Sequence, residues 1–260
     1  MSAEHPLLAS IRQAATPHGL NLIAAVPADR YDAIAPPSMR AYTLSPNAKS
    51  IVVIGNGGGA FWDAFKAHAA AHPGWRDRAH PLDDFTRELI ETSIVPAVRG
   101  QGVACTPVFP FVGEATLNFI GLGKLAGLGG PSILGVLIHP VYGPWIAFRA
   151  ALLLDVTVDQ PGEAAGFDPC PRCVPRSCIA ACPASAVNFP TGWDIPRCLT
   201  HRIEVEADCA SRCHARAACV IGPDHRYPED ELAYHHRRAL TSMRPYYNAH
   251  LRKREPSSLD

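Results

Sequence analysis

Two rhythms of apolar and polar residues divide this chain. Leu20 to Val26 and Ser50 to Ile54 are short, almost unbroken apolar runs. Runs of that length, bounded by turn residues, predict strands buried on both faces. Val103 to Phe111, Gly135 to His139 and Ile146 to Val156 repeat the signature. Elsewhere apolar residues recur at helical spacing. Pro6 to Thr16, Phe61 to His72, Ala115 to Ala126 and Glu229 to Tyr247 predict helices, as does Phe85 to Val98, entered through Asp83 and Asp84. Ala35-Pro36-Pro37 to Pro46 is a proline-rich connection. Interleaving of this kind predicts an α/β (α+β) domain in which helices cover a sheet.

The pattern changes after Asp159. Gln160 to Gly166 is a polar linker, and a cysteine-rich stretch follows. The expected organisation is an α/β domain over 1–159, a metal-binding module over 160–228, and a closing helix with its tail over 229–260. No internal repeat or low-complexity tract interrupts it.

With 260 residues, zero formal net charge and 47% apolar residues, the chain can bury a substantial core. That balance excludes intrinsic disorder, and the basic residues form no stripe that would track a nucleic-acid backbone. Met1 to Gly19 lacks an apolar signal core, and Leu125 to Ile138 is too short and glycine-rich to span a bilayer. A cytoplasmic, reducing setting without membrane contact is therefore expected. There, cysteines bind metal rather than pair as disulfides.

Eight of the nine cysteines lie between Cys170 and Cys219. The first four, Cys170, Cys173, Cys178 and Cys182, are spaced C-x2-C-x4-C-x3-C and followed by Pro183. In ferredoxin-type loops with such spacing, three thiolates hold one cluster and the fourth reaches a second. With Cys198, Cys209, Cys213 and Cys219 the module offers the ligands of two 4Fe–4S clusters. The expected sets are Cys170, Cys173, Cys178 and Cys219 for one, and Cys182, Cys198, Cys209 and Cys213 for the other. Structural zinc is the alternative, with His214 completing a Cys3His site, although zinc favours paired C-x2-C knuckles and only Cys170/Cys173 form one. Cys105, alone in a strand-like run, reads as a small buried apolar residue.

Two segments carry a family resemblance. Asp194-Ile-Pro-Arg-Cys198-Leu-Thr-His-Arg-Ile-Glu204 resembles the stretch that follows the first cysteine motif in epoxyqueuosine reductases, which are corrinoid enzymes with two 4Fe–4S clusters. Gly135-Val-Leu-Ile-His139-Pro140-Val-Tyr-Gly143-Pro-Trp145-Ile-Ala-Phe-Arg149 resembles the cobalamin-processing protein of methylmalonic aciduria type C. Arg226 to Tyr234 is a weaker echo of the same family. The resemblance covers most of 100–235 and implies a nitroreductase-like corrinoid-binding fold with a C-terminal ferredoxin-like iron–sulfur module. It further implies an oxidoreductase in which clusters pass single electrons to bound cobalamin, fed by a low-potential donor of ferredoxin or flavodoxin type. His139, Trp145 and Arg149 are the expected corrinoid contacts.

The match has gaps. Gly127-Leu-Gly129 is kept, but Gly130-Pro-Ser-Ile-Leu replaces the Trp-Ile-Gly-Lys-Asn run of the epoxyqueuosine reductases. The Asp-x-Ala-Pro proton donor has no clear counterpart, Glu114 being the nearest carboxylate. The catalytic residue is thus unassigned. A tRNA-modifying activity like that of the epoxyqueuosine reductases is the alternative enzyme, and a plain ferredoxin-type electron carrier the alternative of another class. Gly55-Asn-Gly57-Gly58-Gly59-Ala60, between a strand and a helix, reads as a tight turn or a weak anion or flavin-phosphate loop. Arg252 to Arg254 reads as solvated surface.

Overall fold

The computed structural model describes residues 4–111, 116–205 and 209–252. Glu114, Ala115, Lys253 and Arg254 lie outside them.

Four strands form one antiparallel sheet: β1 (Leu22–Pro27), β2 (Ser50–Gly57), β3 (Cys105–Val108) and β4 (Ile146–Leu154), in the order β1-β2-β4-β3. Strand side chains alternate between faces, and here both faces are covered. Ile23, Val52, Ile54 and Leu152 meet the helices Pro6–Ala15, Ala60–Ala71 and Pro81–Leu89 on one side. Leu22, Ala24, Ile51, Val53 and Leu153 meet Tyr31, Ala41, Phe119 and Leu122 on the other. This double burial explains why the strands read as continuous apolar runs. Every residue of β2 is buried.

The β2–β4 register shifts between Ile54 and Gly55: Ile54 pairs with Ala150 and Gly55 with Phe148. Arg149 is the residue left over. Such a bulge re-aims a side chain. Ala151 and Leu153 face the Tyr31 side, as do Ile146 and Phe148, so the parity flips at Arg149 and turns it toward Phe61 on the opposite face.

The helix expected over Phe85 to Val98 starts earlier, at Pro81, and contains a π-helical turn over Ile90–Ile94 before Val95–Arg99. Pro96 has no N–H to donate one turn back, which disfavours a regular ladder at that point. The Gly135 to His139 run, expected as a strand, makes only isolated bridges, Gly130 to Ile138 and His139 to Gly143. A positive φ of 74° at Gly135 and the tight His139–Gly143 turn interrupt it. Nor is Gln160 to Gly166 a free linker: Gln160 exchanges backbone hydrogen bonds with Ala25 at 2.9 and 3.0 Å, and Gly162 donates to Ala126.

The cysteine-rich stretch folds into short pieces: helices Ser177–Ala180, Ile195–Glu204 and His214–Ala217, and the hairpin β5 (Val187–Asn188) and β6 (Gly192–Trp193). The long helix Glu229–His250 ties it to the sheet layer. Near its start, Asp230 accepts from Trp62 Nε1 at 2.9 Å, and Tyr234 packs against Trp62 and Phe65. Further along, Leu240 and Tyr247 cluster with Leu199, while Arg202 donates to the His236 carbonyl at 2.9 Å. The architecture is therefore a mixed α/β layer with an antiparallel sheet, joined to a cysteine module by one helix. No helix among the described residues is long and apolar enough to cross a membrane.

Candidate functional site

All eight module cysteines are free thiols, and they surround two cavities. Cys170, Cys173, Cys178 and Cys219 line a small one, about 30 Å³, closed by Ile133 and Ile221. Cys182, Cys198, Cys209 and Cys213 line a larger one, about 260 Å³. Leu134 lies in the wall of both. The grouping is the one expected from chain spacing together with the crossing habit of ferredoxin-type loops. Local structure produces it: the turn Cys170–Arg172 and the helix Ser177–Ala180 present the first three thiols, and Cys219 arrives just beyond the helix His214–Ala217.

Burial pushes the Cys170, Cys178, Cys198, Cys213 and Cys219 thiols up, and Cys209 up to about 11. Neighbouring sulfurs of the same set push in the same direction. Four thiolates in such a space need a cation to compensate them. Hydrogen bonds already favour negative sulfur: Ala186 N–H donates to Cys182 Sγ at 3.4 Å and Arg216 N–H to Cys213 Sγ at 3.4 Å. Backbone donors from Ile133 and Ile221 act likewise on Cys170 and Cys219, and the Trp193 side chain on Cys198.

Among the described residues, no set of three or more His, Cys, Asp and Glu side chains closes on a single-ion position. A zinc ion needs four sulfurs at about 2.3 Å from one point. Four cysteine sulfurs are the donor set a cubane cluster would take, one per iron. The donor set and its N–H···S bonds thus fit an iron–sulfur cubane.

The three expected corrinoid contacts do not converge. His139 is 2% exposed, and its Nδ1 accepts from the Val141 N–H at 3.1 Å, which anchors its own turn. Its Nε2 lies 3.5 Å from Glu163 Oε1, and burial holds its pKa below the usual imidazole value. Trp145 is 1% exposed, with the Arg216 guanidinium 4.7 Å above its ring and Tyr227 against its edge. Arg149 alone reaches a cavity. Its Nε donates to Asn56 Oδ1 at 2.7 Å, its guanidinium stacks 4.7 Å from the Phe61 ring, and its Nη2 has no hydrogen-bond partner. It lines an open space of about 690 Å³ with Asp83, Arg87, Phe111, Tyr234 and Arg238.

Sequence reasoning misses the residues between these spaces. His235 lines both the open cavity and the larger cysteine cavity. Its Nε2 sits 3.7 Å from Glu231 Oε1, and Glu231 is fully buried. Burial raises the Glu231 carboxyl to about 8 against the pull of Arg149 and Arg216, and lowers His235 to about 3. Both belong to a helix whose acidic first turn looks, in sequence, like ordinary macrodipole compensation. The glycine run Gly55 to Gly59 serves packing: a Cβ on Gly57 would strike the Tyr142 ring, and Asn21 bonds both backbone groups of Gly57. Cys105 is buried in β3, as a small apolar residue would be.

No protein-family model matches the chain, and no curated protein matches it in sequence. Solved structures do match in fold. Epoxyqueuosine reductase from Streptococcus thermophilus superposes with a TM-score of 0.50 at 14% identity, covering 85% of this chain and 67% of that one. The B12-trafficking protein CblC from C. elegans gives 0.54 at 13% identity, covering 95% and 97%. A reductive dehalogenase whose structure suggests a mechanism for B12-dependent dehalogenation gives 0.51 at 18%, covering 92% of this chain and 36% of its own. The fold is thus the one shared by the families that the His139 and Cys198 segments resemble.

Proposed function

We propose that this chain is an iron–sulfur oxidoreductase that reduces or processes a bound corrinoid with single electrons. One observation carries the reading: eight cysteines ring two cavities with a shared wall, and the larger adjoins, through His235, the open cavity that Arg149 lines. The fold shared with a B12-trafficking protein and with reductases supports it. Cys170, Cys173, Cys178 and Cys219 would hold one 4Fe–4S cluster, and Cys182, Cys198, Cys209 and Cys213 the other. Such clusters supply a one-electron relay, and a corrinoid supplies cobalt redox chemistry. The protein's part is to hold thiolates with N–H donors, to screen the cavities with Ile133, Leu134 and Ile221, and to present the Arg149 guanidinium to an acceptor group of the ligand. His139 and Trp145 shape the turn and strand that place Arg149 rather than touching the ligand from the open cavity.

Anaerobic purification tests this. The expected protein is brown, with roughly eight irons and as many sulfides per chain. Added hydroxocobalamin should convert to the base-off spectrum and be reduced when a low-potential ferredoxin or flavodoxin supplies electrons. Clusters without any cobalamin change would leave a plain electron carrier. Turnover of epoxyqueuosine-modified tRNA, with no processing of free cobalamin, would favour the tRNA enzyme. A colourless zinc protein would remove the redox reading altogether.

A further inference from the structure

Between the two cavities lies a cluster of buried polar side chains centred on Glu231. Glu231 is 0% exposed and neither carboxyl oxygen has a hydrogen-bond partner. On neighbouring side chains, Trp145 Nε1, Arg149 Nη2 and His235 Nε2 are likewise buried without a hydrogen-bond partner, and the Tyr227 ring packs against Trp145. Buried polar atoms are nearly always paired, so several orphans in one place call for an explanation. Two side chains connect this cluster to its surroundings. His235 lines both cavities, and the Arg216 side chain lies over Trp145 and Tyr227 while its backbone N–H bonds Cys213 Sγ.

We propose that Glu231, reached through His235, is a proton reservoir that fills when the neighbouring cysteine cavity gains an electron and empties when the electron leaves. The inference rests on the iron–sulfur reading above. Where Glu231 is ionised in the oxidised protein, the negative charge added when a low-potential one-electron donor is oxidised and its electron arrives is offset by one proton. That proton passes from solvent in the open cavity across the His235 imidazole to the Glu231 carboxylate. When the electron passes to an acceptor, the Glu231 carboxyl loses the proton through the same imidazole into the open cavity. One electron and one proton travel each way, so the buried charge is unchanged. Glu231 acts through His235 and is a positioning residue.

The surroundings suit a group that changes charge. Arg149 from β4 and Arg216 beside the cysteine cavity pull toward the carboxylate, whereas Asp63 from the helix Ala60–Ala71 and its own neighbour Asp230 oppose it. Its pair partner His235 is held neutral by burial and by Arg149, Arg216, His236 and Arg238. Two arginines keep the anion within reach, and burial keeps the acid within reach, so Glu231 stands near about 8.

The test is a spectropotentiometric titration of the anaerobic cluster-loaded protein from pH 6 to 10. Below about 8 Glu231 is protonated in both redox states, so both midpoints should be flat. Above it, one centre should fall by up to about 59 mV for each tenfold drop in proton activity, the one-electron limit, while the other stays level. In Glu231→Gln the slope should vanish with both centres still present. Two flat curves in the unmodified protein, or a slope that survives the substitution, overturn the proposal and leave the iron–sulfur reading intact. Absence of any reducible centre overturns both, and shows before pH is varied. Should Glu231→Gln fail to load clusters, the reduced-minus-oxidised infrared spectrum of the unmodified protein at pH 9 decides. Gain of a protonated carboxyl band supports the reservoir, and no carboxyl change refutes it.

Discussion

Arg149 shows what one residue reveals before and after folding. An arginine in an apolar strand signals a buried guanidinium that needs a partner, and that much is legible in the sequence. The partner is not: Asn56 is a neutral amide on the adjacent strand, and the bulge that turns Arg149 toward it leaves no mark in composition. Asn56→Leu should therefore cost about 3 kcal/mol, since a buried charged donor loses its acceptor. Asn56→Asp should keep the fold, because a carboxylate oxygen stands in the same place. Urea unfolding of the two variants measures the difference. His139 teaches the converse. Its place before Pro140 suggests ligand contact, but its Nδ1 is occupied by its own turn. Hydrogen bonds inside a turn depend on backbone angles that the residue pattern does not report.

Among elements, the strands and helices of the sheet layer follow the apolar rhythm because burial on both faces dictates it. Segments that dock the module follow a different logic, close approach of backbone to backbone, and periodicity is blind to it. Gly143 has φ +58°, and a Cβ there would overlap the Ile221 carbonyl, which follows the Cys219 loop. Gly143→Ala should push this loop away from the His139–Gly143 turn and open the cavity of Cys170, Cys173, Cys178 and Cys219. Iron should drop to roughly half, about four per chain, while far-ultraviolet circular dichroism keeps the signal of the sheet layer. An unchanged iron content would show that the seam does not position Cys219. Spacing suggests the first three thiols of each group, whereas the exchange of the fourth follows from the habit of ferredoxin-type loops and not from anything the residue pattern dictates.

At the scale of the molecule, the long helix decides how the parts communicate, and its first turn hides the decisive residue. Glu229, Asp230 and Glu231 look equivalent in sequence, yet the Glu229 side chain is 90% exposed and that of Glu231 is 0% exposed. The choice follows from the helix face that Tyr234 presents to Trp62 and Phe65, which places Glu231, one turn earlier, inward. Its effect should appear in stability against pH. The folded state holds the Glu231 proton from its ordinary 4.5 up to about 8, so across that window folding binds the extra proton and stability falls as pH rises. His235 and His236 run the other way. Lowered from 6.5 to about 3 and about 4, they are neutral when folded, and stability falls as pH drops below 6.5. Between 4.5 and 6.5 two gains oppose one loss; between 6.5 and 8 the loss stands alone. Thermal unfolding of the oxidised protein should therefore peak near pH 6.5 and decline toward 8 by up to about 1.4 kcal/mol per pH unit. Glu231→Gln should flatten the alkaline limb and leave the acid limb, which belongs to the histidines, in place. A decline that persists in that variant would assign the alkaline loss to another group.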